Sequence, residues 1–180
     1  MTDSLEAALR RAIRTIPDYP KKGVMFKDLT TVWVDGRLSR RLTKALVDHC
    51  GGLKADKVVA IEARGFIVGA ALADRLGVGL VPARKTGKLP GRTVSADYEL
   101  EYGKQRLEIH SDSISKGERI LIVDDLLATG GTAGAAKELV ERLGGKVVGF
   151  VFITELTFLG GRKRLTGYGV HSLVKYDKSE

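Results

Sequence analysis

Apolar residues recur with helical spacing at Leu5, Ala8, Leu9, Ala12, Ile13 and Ile16, which predicts a first helix reaching Ile16. Asp3 and Glu6 stand where a capping box would start it. Pro17 and Pro20 end that helix and open an extended segment, Asp18–Thr31. Leu38, Leu42, Ala45 and Leu46 mark a second amphipathic helix over about Leu38–Cys50, which stops at Gly51-Gly52. Beyond it the pattern changes to short apolar runs separated by helical stretches. Lys57–Ile61 reads as a buried strand, Glu62–Gly65 as a turn, Phe66–Leu76 as an almost wholly apolar helix closed by Gly77, and Gly79–Ala83 as the next strand. Strand Arg119–Val123, helix Thr132–Leu143 closed by Gly144-Gly145, strand Val147–Ile153 and strand Ser172–Tyr176 continue the alternation. Strands alternating with helices predict an α/β fold, a Rossmann-like parallel sheet flanked by helices.

One stretch breaks the rhythm. Between Ala83 and Arg119 no helical pattern appears. Val94, Ala96, Tyr98, Leu100 and Tyr102 alternate with polar neighbours, Gly103-Lys104 reads as a turn, and Leu107 and Ile109 alternate again. This predicts an antiparallel hairpin preceded by a mobile basic loop, Arg84–Arg92. Together they form a flap over about residues 84–110, of the kind that closes binding sites.

A chain of 180 residues with no repeat, linker or low-complexity tract is expected to be a single domain spanning 1–180. Cys50 has no second cysteine to pair with, so nothing asks for an oxidising compartment. No secretory signal or membrane-length apolar run is present, and the expected location is cytoplasmic, without a membrane partner. A net charge of +8 invites a nucleic-acid reading. No basic block exceeds Arg162-Lys163-Arg164, and no zinc finger, basic zipper or RNA-binding aromatic signature is present. Anionic small molecules are therefore the expected partners, and nucleic acid is not.

The candidate chemistry is concentrated in Ile120–Thr132, where an apolar β-branched strand runs into Asp124-Asp125 and then Leu126-Leu127-Ala128-Thr129-Gly130-Gly131-Thr132 before a helix. The carboxyl end of a strand is where open α/β sheets bind ligands. Two adjacent acids there need hydroxyls, amides or cations to satisfy them. Small residues, two hydroxyls and the positive end of a helix make a nest sized for a monophosphate. Neither the Walker A spacing nor the dinucleotide glycine fingerprint fits.

That run resembles the signature of the purine/pyrimidine phosphoribosyltransferases. Other segments extend the resemblance nearly end to end to the adenine phosphoribosyltransferases within that family. They are Pro17-Asp18-Tyr19-Pro20, Gly23-Val24-Met25-Phe26-Lys27-Asp28, Glu62-Ala63-Arg64-Gly65-Phe66, Arg84-Lys85-Thr86-Gly87-Lys88-Leu89-Pro90 and Leu100-Glu101-Tyr102-Gly103. The resemblance implies a type I phosphoribosyltransferase fold with a small N-terminal hood over about residues 1–35. It implies magnesium-dependent transfer of phosphoribose from phosphoribosyl pyrophosphate (PRPP) to adenine, giving AMP and pyrophosphate, by a homodimer.

By the same resemblance, Ala128, Thr129, Gly130, Gly131 and Thr132 would hold the 5′-phosphate, and Asp124 and Asp125 the ribose hydroxyls. Ala63, Arg64 and Gly65 would hold the pyrophosphate. Arg84, Lys85 and Lys88 would close over it, with Tyr102 also contacting PRPP. Glu101 would be the catalytic carboxylate. Magnesium would be held mainly by PRPP oxygens, so no dedicated protein metal cage is expected. Val24–Lys27 would form the base pocket, with Met25, Phe26 and Lys27 on adenine and the Leu156–Leu159 stretch, through Leu159, as an apolar wall. Lys27 stands where many family members have Arg. The stretch Glu155–Gly161 lacks the lysine that oxopurine enzymes use. A hypoxanthine, guanine or xanthine enzyme remains an alternative, as does a nucleotide-sensing, nucleic-acid-binding regulator on the same fold.

Overall fold

The computed structural model describes residues 3–100 and 103–178. The chain divides into two compact units, Met1–Asp48 and His49–Glu180.

The first unit begins with α1 (Leu5–Ala12). Ser4 caps this helix, its hydroxyl accepting from the Ala7 amide at 3.2 Å. The anticipated Asp3/Glu6 capping box does not form, because Asp3 pairs with Arg11 and Glu6 with Arg10. The helix also stops short of Ile16. Residues Arg14–Pro17 form β1, antiparallel to β2 (Met25–Asp28), with Arg14 opposite Asp28 and Pro17 opposite Met25. Ladder hydrogen bonds and the Arg14–Asp28 ion pair at 2.6 Å override the helical phase of Ile13 and Ile16.

Asp28 then starts α2 (Thr30–Val34), a helix where the sequence pattern gives only extended chain. Its Oδ1 accepts from the Thr30 amide at 3.0 Å and the Thr30 hydroxyl at 2.7 Å. These bonds and Arg14 outweigh burial and lower the Asp28 carboxyl to about 2. Asp35 takes the amides of Arg37 and Leu38, so α3 (Gly36–Cys50) opens ahead of Leu38.

The second unit is built on a seven-stranded sheet in the order β5-β6-β4-β3-β7-β8-β9. Its strands are β3 (Lys57–Ile61), β4 (Gly79–Lys85), β5 (Thr93–Leu100), β6 (Gly103–His110), β7 (Arg119–Leu127), β8 (Lys146–Leu156) and β9 (Val170–Tyr176). β4, β3, β7, β8 and β9 run parallel, as the strand–helix alternation predicts. The β5–β6 hairpin extends the sheet antiparallel beyond β4. Each central strand is buried on both faces, as parallel strands must be. In β3, Val59 and Ile61 join the core that includes Ala136, Leu139 and Val140 of α5 (Gly131–Arg142). The alternate residue Ala60 meets α4 (Gly65–Leu76), where a β-carbon on Gly69 would fall 2.4 Å from the Ala60 side chain. The two helices thus cover opposite faces.

Two boundaries differ from the sequence pattern. Gly103 already pairs with Leu100, so Gly103-Lys104 is strand and not turn. Glu101 and Tyr102, between them in the chain, lie outside the described residues. β7 does not end at Val123 but runs on to Leu127, because β8 supplies a pairing partner as far as Glu155. The loop after β4, read as mobile, is tied down at several points. Arg84 donates to the Lys88 carbonyl, the Thr86 amide to the Arg106 carbonyl, and the Gly87 amide to Glu108.

Candidate active site

β3 pairs with β7 only as far as Val123. Past that point β3 turns away into Glu62–Arg64, and β7 continues alone with β8, carrying Asp124 and Asp125 beyond the edge of its neighbour. The start of α4 occupies the resulting notch. A β-carbon on Gly65 would lie 2.7 Å from Asp124 Oδ1 and 3.1 Å from Asp124 Cα. No residue with a side chain fits there without moving the acid.

The two acids form one unit. The Asp125 amide donates to Asp124 Oδ1 at 2.8 Å. Arg64 Nε stands 2.6 Å from Asp125 Oδ2, near enough for an ion pair but not aligned as a hydrogen bond, and that sealed oxygen accepts none among the described residues. Burial pushes the Asp124 carboxyl well above the usual carboxylate range, and the adjacent Asp125 charge adds to the shift. Burial raises Asp125 as well, tempered by the Arg64 guanidinium. Such a pair is costly by itself and suited to partners that bring hydroxyls or cations.

β7 then leads into Ala128–Thr132. Gly130 sits at φ +79° as the residue before α5, and the helix start has neither a side-chain cap nor an acidic residue in its first turn. The outward-pointing amides of an uncapped helix start favour an anion. A cavity of about 100 Å³ lies here, lined by residues 126–133 with Asp124 and Phe152. Gly161 backs the loop from behind. A β-carbon on it would strike the Ala128 carbonyl at 2.2 Å, and one on Gly130 would strike the Gly161 carbonyl at 2.5 Å. The two backbones touch.

Ala63, Arg64 and Gly65 lie where β3 gives way to α4, the second helix start at this end of the sheet. The Glu62–Ala63 peptide bond is cis. Glu62 accepts from Arg84 Nε at 3.1 Å and from the Lys85 amide at 3.0 Å. Burial pushes the Glu62 carboxyl up, and these bonds more than offset it, leaving it below the ordinary range. Arg84 is therefore engaged with Glu62 and the Lys88 carbonyl, while Lys85 and Lys88 are exposed.

The geometry so far is a buried acid, Asp125, and a partly buried one, Asp124, between two amide-presenting helix starts. A phosphoribosyl transferase domain model matches residues 36–164. The chain belongs to the phosphoribosyltransferase family. The adenine phosphoribosyltransferase of Caldanaerobacter subterraneus subsp. tengcongensis is 55% identical over 168 residues, covering 93% of this chain and 97% of its own. The crystal structure of the enzyme of that name from Thermoanaerobacter pseudethanolicus superposes with a TM-score of 0.93 at 54% identity, covering 96% of this chain and all of that one. The Saccharomyces cerevisiae enzyme, solved with an imino-altritol bisphosphate and adenine, gives 0.90 at 40% identity, covering 94% and 98%. The fold is that of the type I phosphoribosyltransferases.

Of the residues singled out in the sequence, 63–65, Asp124-Asp125 and 128–132 come together. Met25, Phe26 and Lys27 lie on β2 in the first unit. Met25 is half exposed, Phe26 packs edge-on against Tyr19 at 5.1 Å, and the buried Lys27 ammonium donates to Thr15 at 3.1 Å. Leu159 ends a short 3-10 turn after β8 in the second unit. Among the described residues no three metal-binding side chains converge. What the site offers a hard cation is the oxygens of Asp124 and Asp125. Cys50 is buried and its thiol is pushed up to about 12, so no thiolate takes part. Sequence reasoning missed Glu62 as the anchor of Arg84 and Gly161 as the backing of the 128–132 loop. A glycine pair at 160–161 was the only local hint of the latter.

Proposed function

We propose that this chain makes AMP and pyrophosphate from adenine and PRPP, with magnesium, and that the residues above divide the work as follows. The observation that carries the reading is the convergence of two helix starts, at 63–65 and 128–132, on the Asp124-Asp125 pair. One substrate with a phosphate at one end, a pyrophosphate at the other and vicinal hydroxyls between them matches all three features.

The loop 128–132 takes the 5′-phosphate, whose charge supplies the cap that α5 lacks. Asp124 and Asp125 accept from the ribose hydroxyls. The amides of Ala63, Arg64 and Gly65 take the pyrophosphate, and Arg64, Arg84, Lys85 and Lys88 offset its charge as the bond to C1 breaks. Magnesium, when bound mainly through pyrophosphate and ribose oxygens, screens the same charge. The sugar becomes cationic as the leaving group departs, and the buried carboxylates beside it favour that charge. A nitrogen of adenine then attacks C1 from within a site closed to water by the 84–110 flap. Glu101, outside the described residues, manages the purine proton, and Tyr102 joins the PRPP contacts. On the base side, the carbonyl and amide of Met25 complement the amino group and ring nitrogen of adenine, with Phe26 and Lys27 next to it on β2; Leu159 is assigned an apolar contact with the base. Support for adenine comes from relatives of that name and from the absence of lysine in 155–161. The working form in this reading is a cytoplasmic homodimer. No helix among the described residues is long and apolar enough to cross a membrane.

The test is to supply magnesium and PRPP with adenine, hypoxanthine, guanine or xanthine and follow nucleotide formation. AMP from adenine alone is expected. Comparable rates on an oxopurine would overturn the base assignment. No product with any base, together with salt-sensitive retention of nucleic acid on a filter, would favour the regulatory alternative.

A further inference from the structure

The segment 156–161 leads from the last residue of β8 through a 3-10 turn into the start of a second one at Gly161, whose backbone is in contact with Ala128 and Gly130. The Gly160 amide closes the first turn on the Thr157 carbonyl at 3.1 Å, and the Thr157 hydroxyl donates to the Tyr176 carbonyl at 3.0 Å, while side chains at either end fix where the segment starts and stops. Glu155, the residue before it, is buried, and Arg162, the residue after it, closes a two-point grip on it. Arg162 Nε donates to Glu155 Oε1 at 2.7 Å and Nη2 to Oε2 at 2.8 Å. The third edge of the guanidinium reaches β9, Nη1 donating to the Val170 carbonyl at 2.8 Å. Ser172 donates to Glu155 Oε2 at 2.9 Å and fills the carboxylate. Burial pushes the Glu155 carboxyl up, and its bonds to Arg162 and Ser172 hold it below the ordinary range.

We propose that Glu155 and Arg162 are positioning residues that set the 5′-phosphate loop through Gly161 while touching no substrate themselves. The inference rests on the assignment of 128–132 to the phosphate. A planar fork on a carboxylate fixes direction as well as distance, which a single point charge does not. Because the pair spans the two ends of 156–161, it pins the segment as a staple pins a fold of paper. Gly161 has no slack against the loop, since anything as large as a methyl group would meet the Ala128 carbonyl at 2.2 Å and the Gly130 nitrogen at 3.0 Å. A shift of Gly161 therefore becomes a shift of the amides that receive the phosphate. A displacement of about 1 Å at such a site is enough to cost one to two orders of magnitude.

Arg162→Lys keeps the charge beside the buried Glu155 and loses the fork. Ser172→Ala removes one bond to the same carboxylate and leaves the fork. Each full-length protein, with magnesium, is titrated calorimetrically with ribose 5-phosphate and, separately, with pyrophosphate. In Arg162→Lys the affinity for ribose 5-phosphate is expected to fall about tenfold while that for pyrophosphate stays within about twofold. Ser172→Ala should leave both near wild type. If Arg162→Lys leaves both affinities unchanged, or lowers both together as a general loss of structure would, the bracing role is overturned. A wild-type protein that binds ribose 5-phosphate, shows this selective loss and yet forms no nucleotide would instead overturn the proposed reaction and keep the brace. A wild type that binds no ribose 5-phosphate would remove the phosphate assignment and the brace with it.

Discussion

Gly65 and Asp124 are packed so closely that a β-carbon on the first would stand 2.7 Å from a carboxylate oxygen of the second. Asp124 Cα and the Val123 carbonyl, at 3.1 and 3.2 Å, close the remaining space. Backbone cannot move aside as a flexible side chain can. Gly65→Ala is expected to displace either the start of α4 or the acid, costing about 1–3 kcal/mol of stability. Turnover should fall by more than that loss explains, because both proposed PRPP contacts shift. Urea denaturation beside a nucleotide-formation assay checks it, and an active variant of unchanged stability would defeat the packing argument.

Asp125→Asn separates cost from use. Both acids are raised by burial, Asp124 further by its neighbour. A group whose folded value is raised is stabilising when protonated and loses that contribution as pH rises through the folded value. Removing one charge should therefore leave the melting temperature at pH 7 unchanged or higher. Turnover should drop about a hundredfold or more, because an amide is a poorer partner for ribose hydroxyls and a cationic sugar. Unfolding of the variant would mark the acid as structural.

Asp28 makes the opposite case. Its carboxyl is lowered from 3.8 to about 2 by Thr30 and Arg14. A lowered acid contributes stability that is complete above its unfolded value and is lost as pH falls through the folded one. Asp28→Ala should cost about 1–2 kcal/mol at pH 7 through the lost cap and ion pair. The gap from wild type should narrow between pH 3.8 and about 2. Denaturation midpoints over that range decide it.

His49 and His171 stack with ring centroids 3.5 Å apart. Burial is the main cause that lowers His171 below 6.5, followed by His49, Arg162 and Lys175. A histidine lowered on folding resists protonation, so the folded state loses stability as pH falls through 6.5 toward the folded value. His171→Phe keeps the stack and removes the titration. Its melting temperature should fall less than that of wild type from about pH 7.5 to about pH 5.5. Parallel curves for the two proteins would rule the pair out as an acid-sensitive point.

The elements from α3 onward are largely legible in the sequence because β3, the first half of β7 and most of β8 are apolar runs, and each helix carries its stripe between glycines. The N-terminal region is less so. Ile13 and Ile16 keep helical phase, yet the pairing of Arg14–Pro17 with Met25–Asp28 decides their conformation, and no local pattern reports a partner strand. The end of β7 is hidden for the same reason, since only β8 extends the ladder past the acids. In the site, 63–65, Asp124-Asp125 and 128–132 are contiguous motifs and can be read directly. Glu62, Glu155, Arg162 and Gly161 act across the fold, on groups remote in the chain, and as letters they look like solvated charges and a loop glycine.

The bare start of α5 has a consequence for the protein's life in a cell. On the proposed reading the 5′-phosphate is the missing cap, so supply of PRPP tightens the same loop that recognises it. Ligand that binds only the folded state raises resistance to heat and to proteolysis, and the gain grows with the logarithm of free ligand once this exceeds its Kd. When PRPP is scarce the loop stays open-ended and the domain is easier to degrade. When it is plentiful the enzyme is both occupied and protected. The abundance of such a protein would then follow the availability of its own substrate, through Gly130 and the uncapped amides after it.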